Sequence, residues 1–294
     1  FNSVVTIYIL IPLLMIPLIV LGCVMVSFDK LSRVVGSVDK VPLIAEFMPS
    51  RWIYEASMVR QYKDNEYEKN FYDIEKQESI ADFKQVHYIP ELITITQSTV
   101  EKIQSNPTKK EIGEIEDNLE LLRNEIAKQE REVKKHGKFG DMTPKSLQFE
   151  HKQLLTVDSF DVDASDLVLD YFDRLSNYYS QMFLQANRKK ERIINHLAEN
   201  RPKLLTLKRQ TYHNEALTDI VKKVLEKNKI LRSGNKLVQN YDPIYLDPDA
   251  DSFLNFRSHF YAPRKYFAGK YFDTFWFDVT VVWVIFLLFY VILY

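Results

Sequence analysis

Six histidines, His87, His136, His151, His196, His213 and His259, and a single cysteine, Cys23, are the side chains of this sequence best suited to hold a transition metal. No two of the histidines stand four residues apart, as one helical face needs, and no cysteine lies near any of them, so a zinc site is not expected. The seven glycines, Gly22, Gly36, Gly113, Gly137, Gly140, Gly234 and Gly269, nowhere have the G-x-x-x-x-G-K-[ST] spacing that cradles phosphates. ATP binding by that route is therefore excluded for this segment. Asp247, Asp249 and Asp251 alternate as at the start of a calcium loop. Position 6 of that loop is Ser252 where glycine makes the turn, and position 12 is Ser258 where a bidentate glutamate is needed, so a solvated turn is expected. No catalytic residue, cofactor or metal is assigned to the chain on these grounds.

The remaining unusual chemistry is charge inside an aromatic helix, FMPSRWIYEASMVRQY, residues 47–62. Trp52, Ala56 and Val59 fall on one face at i, i+4 and i+7, while Arg51, Glu55 and Gln61 lie elsewhere, which predicts an amphipathic helix at a membrane interface. Its setting supports that. Val4 to Phe28 is 25 residues without a charge, about 37 Å of helix, enough to span a bilayer. The run is too long for a signal-peptide core and lacks a basic leader and an A-x-A-like cleavage site. Pro12 and Pro17 lie within it, as membrane helices tolerate when neighbours satisfy the freed carbonyls. The chain starts at Phe1, already inside an apolar segment, and reads as a piece of a longer protein.

The other end mirrors the first. Trp276 to Tyr294 carries one charge, Asp278, and its approach interleaves Phe256, Phe260, Tyr261, Tyr266, Phe267, Tyr271, Phe272 and Phe275 with Arg257, Arg264, Lys265 and Lys270. Rings and cationic tips of this kind favour the headgroup level. A nucleic-acid stacking surface is the sharper alternative. Contiguity with a spanning helix and a net charge of −1 favour the membrane and give no case for nucleic acid.

Between the two ends the pattern is helical. Thr108 with Glu111 makes a capping box, and Ile112, Ile115, Leu119, Leu122, Ile126 and Val133 follow as a heptad seam that skips Gln129 and ends on Lys134, Lys135, His136 and Gly137. A shorter helix is expected after Thr143-Pro144. A long one, capped by Ser165 and stopped by Pro202, carries Tyr171, Phe172, Tyr178, Tyr179 and Phe183 in a stripe wider than one seam needs. That surplus predicts an interface. A third helix is expected from Leu217 to Ile230, ending near Gly234, and the best strand candidate is residues 88–100. The reading is an all-α membrane protein fragment: a transmembrane helix (1–28), a connector with an amphipathic interfacial helix (29–74), a helical, partly coiled-coil extracytoplasmic insert (75–245), an aromatic and basic interfacial segment (246–274), and a second transmembrane helix (275–294).

The order of these pieces resembles the last third of the permease domain of ABC exporters of the G-subfamily, pleiotropic drug resistance and white-like, in the bacterial version where one chain holds the ATP-binding domain and then the permease. In that family a short extracytoplasmic helix after the fifth membrane helix has a pattern close to Y-x-x-E-A-L-x-x-N-E-F. Trp52, Glu55, Ala56, Val59 and Tyr62 fall on matching places, and Arg60-Gln61 replaces the Asn-Glu pair. The resemblance covers roughly residues 1–72 and 255–294. It implies an inner-membrane exporter of unknown substrate, with ATP and Mg at an ATP-binding domain in the same or an associated chain. Membrane lipids, a dimer mate and an extracytoplasmic partner are the other partners it implies. The helix of Trp52 to Tyr62 then gates the exit or anchors the loop, both ends face the cytoplasm, and residues 29–270 lie outside. A two-span structural or regulatory protein with a periplasmic coiled coil, like chain-length determinants or sensors, is the competing expectation.

Overall fold

Where local sequence signals are strong, they set the elements. Thr108 Oγ1 accepts from the Glu111 N–H and the Glu111 carboxylate accepts from the Thr108 N–H, so the capping box opens a helix that runs Lys109–His136, 28 residues, to Gly137 at φ 84. The computed structural model describes residues 4–21, 40–105, 107–200, 202–250 and 253–294. Residues 22–28 of the expected first span, with Gly22 and Cys23, lie outside the described residues, as do Gly36, Asp251 and Ser252.

The described helices are α1 (Val4–Leu21), α2 (Leu43–Glu46), α3 (Pro49–Lys63), α4 (Tyr72–Phe83), α5 (Ile89–Gln104), α6 (Lys109–His136), α7 (Val162–Asn200), α8 (Pro202–Tyr212), α9 (Glu215–Lys222) and α10 (Thr274–Leu293). A π-helical turn, Lys84–Tyr88, separates α4 from α5. Two antiparallel hairpins complete the set, β1 (Ile230–Ser233) with β2 (Lys236–Gln239) and β3 (Arg264–Phe267) with β4 (Lys270–Asp273). The protein is mostly helical, and the hairpins are what an all-α reading omits. The chain divides into two compact units: residues 1–72, 205–226 and 240–294, and residues 73–204 and 227–239. Residues 205–226 and 240–245, expected in the insert, belong to the first unit.

In the first unit α3 packs along α10, with α9 also against α3. Val59, Tyr62, Leu217, Val221, Ile244 and Tyr245 share one core, in which the Tyr62 and Tyr245 hydroxyls meet at 2.7 Å and Tyr72 Oη donates to the Ile244 carbonyl. The helix expected from Leu217 to Ile230 is only α9. It stops at Lys223, φ 50, because only Leu217 and Val221 find a core, while Val224 and Leu225 are exposed. Ala268 and Gly269, at φ 50 and 80, turn the β3–β4 hairpin, and the Asp273 carboxylate then accepts from the Phe275 N–H to start α10. Among the described residues, α10 is the one helix long and apolar enough, over Thr274–Ile292, to cross a membrane by length and composition. α1 is an uncharged helix of 18 residues in which Pro12 and Pro17 both lie.

In the second unit α5 packs against both α6 and α7. Residues 88–100, the best strand candidate, are helical. Ile89, Leu92, Ile95, Thr96 and Thr99 are buried at steps of three and four, and Thr94, Thr96 and Thr99 bond the carbonyls four residues back, which lets these β-branched residues sit in a helix. α7 begins three residues before Ser165, and the Asp161 carboxylate, accepting from the Ala164 N–H, caps it. After Thr143-Pro144 the chain makes a turn and no α-helix, because Leu147 and Phe149 are buried two residues apart, a spacing one helical face cannot hold. The aromatic surplus of α7 is also largely absorbed. Tyr171, Phe172, Tyr178 and Tyr179 are buried, with Phe149 on Tyr171 and Phe139 on Tyr178, so the loop between α6 and α7 covers part of the stripe, and Phe183 is half-buried.

Candidate functional site

α3 supplies the site. Trp52, Glu55, Ala56, Val59 and Tyr62, the five residues singled out in the sequence, all point inward, and so does Arg51. The expected division into apolar and charged faces is therefore corrected: Arg51 and Glu55 share the buried face, and the exposed positions are Ile53, Ser57, Arg60 and Gln61. At 100° per residue Glu55 falls between Val59 and Tyr62 on the helix circumference, so it cannot leave the core while they occupy it.

Burial of charge requires partners, and they arrive from distant parts of the chain. Glu55 Oε2 accepts from Arg51 Nη1 at 2.6 Å, and Oε1 accepts from Lys265 Nζ at 2.7 Å and from the Tyr261 N–H at 3.1 Å. Lys265 Nζ also donates to Ser258 Oγ at 2.8 Å. Arg51 Nη2 holds the Glu46 carboxylate, and its guanidinium lies 3.5 Å from the centre of the Trp52 ring, whose Nε1 donates to the Glu46 carbonyl. Arg51, Glu55 and Lys265 are each 1% exposed or less. Tyr261 takes φ 67, a left-handed conformation unusual for a bulky residue, and the bond from its N–H to Glu55 helps hold it there.

Electrostatics follow from this wiring. Burial works to raise the Glu55 carboxyl, but Lys265 and Arg51 outweigh it and hold Glu55 below the ordinary carboxylate range. Burial prevails at Glu46, which sits above that range despite Arg51. Arg51 is desolvated too, and the acids Glu55, Glu46 and Asp278 keep it charged. Nearby, His259 Nε2 meets the Pro243 carbonyl at 2.9 Å, and burial pulls its imidazole down to about 4, so it is neutral at pH 7 and donates that bond.

α10 adds a third carboxylate. Asp278 is fully buried within electrostatic reach of Glu55, Lys265 and Arg51, yet neither of its oxygens has a hydrogen-bond partner among the described residues. Arg51 Nε likewise has no hydrogen-bond partner among the described residues, and Glu46 Oε1 has only Arg257 Nε at 4.0 Å. Glu46, Ser258, Lys265 and Asp278 were not legible as site residues. The available signal was Asp278, the one charge in an apolar run, where an ionisable group marks function.

Ser258 Oγ lies 2.8 Å from Lys265 Nζ, which donates both to it and to Glu55, and no cluster of three or more metal-ligating His, Cys, Asp or Glu residues exists among the described residues. The chemistry of the set is fixation of α2, α3 and β3 to one another by buried ion pairs, with α10 packed alongside and contributing the buried Asp278 carboxyl. Comparison adds no identity: no protein-family model, no curated protein and no solved structure matches this sequence.

Proposed function

We propose that this chain is the membrane-spanning part of an ATP-driven ABC exporter of unknown substrate, and that α3 is its gating or interfacial helix. The observation that carries the reading is the docking of α3 on α10. A helix of the predicted short type, with Trp52, Glu55, Ala56, Val59 and Tyr62 buried, is fastened by ion pairs beside the apolar C-terminal helix that holds Asp278. A buried ionic latch suits an element that must keep or change its register against a membrane helix, because such pairs specify geometry more than they stabilise it. In this reading α1 and α10 both cross the inner membrane, residues 29–270 lie outside, and the α5–α7 domain, including the heptad seam of α6, docks a partner or caps the exit. ATP and Mg belong to an ATP-binding domain in the same or an associated chain, and the working unit is a dimer.

The test uses the parent protein as its gene encodes it. Mg-dependent ATP hydrolysis by the purified protein, alone or with a co-purifying ATP-binding subunit, is the expected result, together with loss of coupled export in Glu55→Ala. A parent with no ATP-binding domain and no such subunit overturns the reading and leaves the two-span structural or regulatory protein. Topology is checked separately. With Cys23→Ser as background, Ser105→Cys reacts with an impermeant maleimide in intact spheroplasts; labelling only after lysis places the domain on the other side.

A further inference from the structure

The outer side of the α3–α10 pair carries a groove that the ionic latch does not use. Ile53 and Ser57 line it from α3, and Phe275, Val279, Val282 and Trp283 line it from α10. The lining is apolar apart from Ser57, whose hydroxyl is spent on the Ile53 carbonyl. Arg60 stands at one end, one turn beyond Ser57 and exposed. Its guanidinium lies 4.0 Å from the centre of the Phe275 ring and 5.8 Å from that of Trp276.

The Arg60 guanidinium makes no ion pair and no hydrogen bond among the described residues, whereas the neighbouring cation, Lys63, is held by Asp273. The cation–π contact tethers the guanidinium beside the rings while its N–H donors stay uncommitted, and such a fork suits two oxygens of a phosphate. From Arg60 the groove leads along α10 past Val279 to Val282 and Trp283, and it is continuous with the exposed apolar surface of that helix. A tethered, uncommitted cation at the mouth of an apolar groove matches a ligand with an anionic head and a hydrocarbon tail.

We propose that the α3–α10 groove binds one anionic phospholipid, its phosphate on Arg60 and an acyl chain along Val279, Val282 and Trp283. The proposal rests on the membrane reading of α10. It places the site at Arg60-Gln61, where the sequence departs from the Asn-Glu pair of the exporters it resembles. An engaged lipid would brace α3 from the side opposite the latch and make the hold of α3 on α10 depend on membrane composition.

The full chain in neutral detergent is titrated with phosphatidylglycerol and with phosphatidylcholine of the same acyl chains, and bound lipid is measured by native mass spectrometry alongside the melting temperature. Phosphatidylglycerol is expected to bind roughly tenfold tighter than phosphatidylcholine and to raise the melting temperature, with inorganic phosphate giving no shift. Arg60→Gln should abolish the preference, and Arg60→Lys should keep part of it because charge remains without the fork. Val279→Phe, which fills the groove and spares Arg60, should weaken both lipids. Equal binding of phosphatidylglycerol by Arg60→Gln, or an equal shift from inorganic phosphate, overturns the lipid site. Retention of the chain in phosphatidylcholine nanodiscs separates the two failures. A chain retained there without lipid preference sinks this site alone, and a chain that stays out sinks the membrane reading with it.

Discussion

Both units bury polar groups, but they do so in opposite ways. In the second unit the Tyr88 hydroxyl donates to Glu125, Gln129 donates to Tyr88 and accepts from Tyr179 at 2.8 Å, the Leu237 N–H closes on Glu125 at 2.7 Å, and Lys84 pairs with Glu132 at 2.9 Å. Burial alone would raise Glu132, but Lys84 brings it below the ordinary carboxylate range. Apart from the Tyr171 hydroxyl, and with Arg174 Nε paired to Asp170 at 3.1 Å, side-chain donors and acceptors buried in that unit are satisfied among the described residues. In the first unit the cluster around Glu55 leaves Asp278, Glu46 and Arg51 with unmatched atoms. A satisfied network rigidifies a core, and a partly satisfied one is where a structure retains alternatives. The second unit is thus the fixed scaffold, and the α3–α10 contact is where function can act.

Substitutions can break this contrast. The largest effect is expected from Glu55→Ala, which strips the Tyr261 N–H of its acceptor and leaves Lys265 with only the Ser258 hydroxyl and Arg51 with only Glu46. Loss of one partner from a buried pair costs about 3–5 kcal/mol, read as accelerated hydrogen exchange across α3 and α10. If the exchange there is unchanged, the latch does not hold these helices. In the scaffold, Leu122→Ala should cost about 2–5 kcal/mol through a cavity, with a lower melting temperature and unchanged helical circular dichroism.

Acid should act next, through His259. Its imidazole is neutral when folded down to about pH 4, while the unfolded chain takes up a proton below about pH 6.5. This contribution is therefore intact above pH 6.5 and is lost as pH falls toward 4. Because the ring is only partly shielded from water, the loss is about 1–3 kcal/mol. His259→Asn should flatten the melting temperature across that window; an unaltered slope refutes the assignment. The smallest change belongs to Asp278→Asn, within about 1 kcal/mol of neutral, since no hydrogen bond among the described residues is lost. Marked destabilisation would mean that Asp278 is a structural partner after all.

The sequence told most where the physics is local. The capping box at Thr108 and the stripe of α6 need only neighbours within a few residues, so the helix was legible from end to end. The strand candidate at 88–100 misled because ITIT imitates a two-residue period, while each threonine can turn its hydroxyl back onto the helix. Both hairpins escaped notice. One turns on Ala268-Gly269, without the asparagine or aspartate that announces such turns, and the other was absorbed into the expected third helix. The latch was hidden for a different reason. Glu55 meets Lys265 across 210 positions of sequence, and no local periodicity carries that information. What could be read was the position of Glu55 on the α3 circumference, already inside the apolar arc.

The π-helical turn at Lys84–Tyr88 has a consequence for how this protein can vary. A π turn holds one residue more than an α turn, and each residue in a helix sets a rotation of about 100°. The extra residue thus resets the phase between α4 and α5 and brings Lys84 to Glu132 and Tyr88 to Glu125 from adjoining turns. Deleting any one residue between 84 and 88 would restore a regular helix while twisting α4 by about a quarter turn against α5. The segment tolerates exchange of side chains far better than a change of length, so its five-residue span is a ruler rather than a linker.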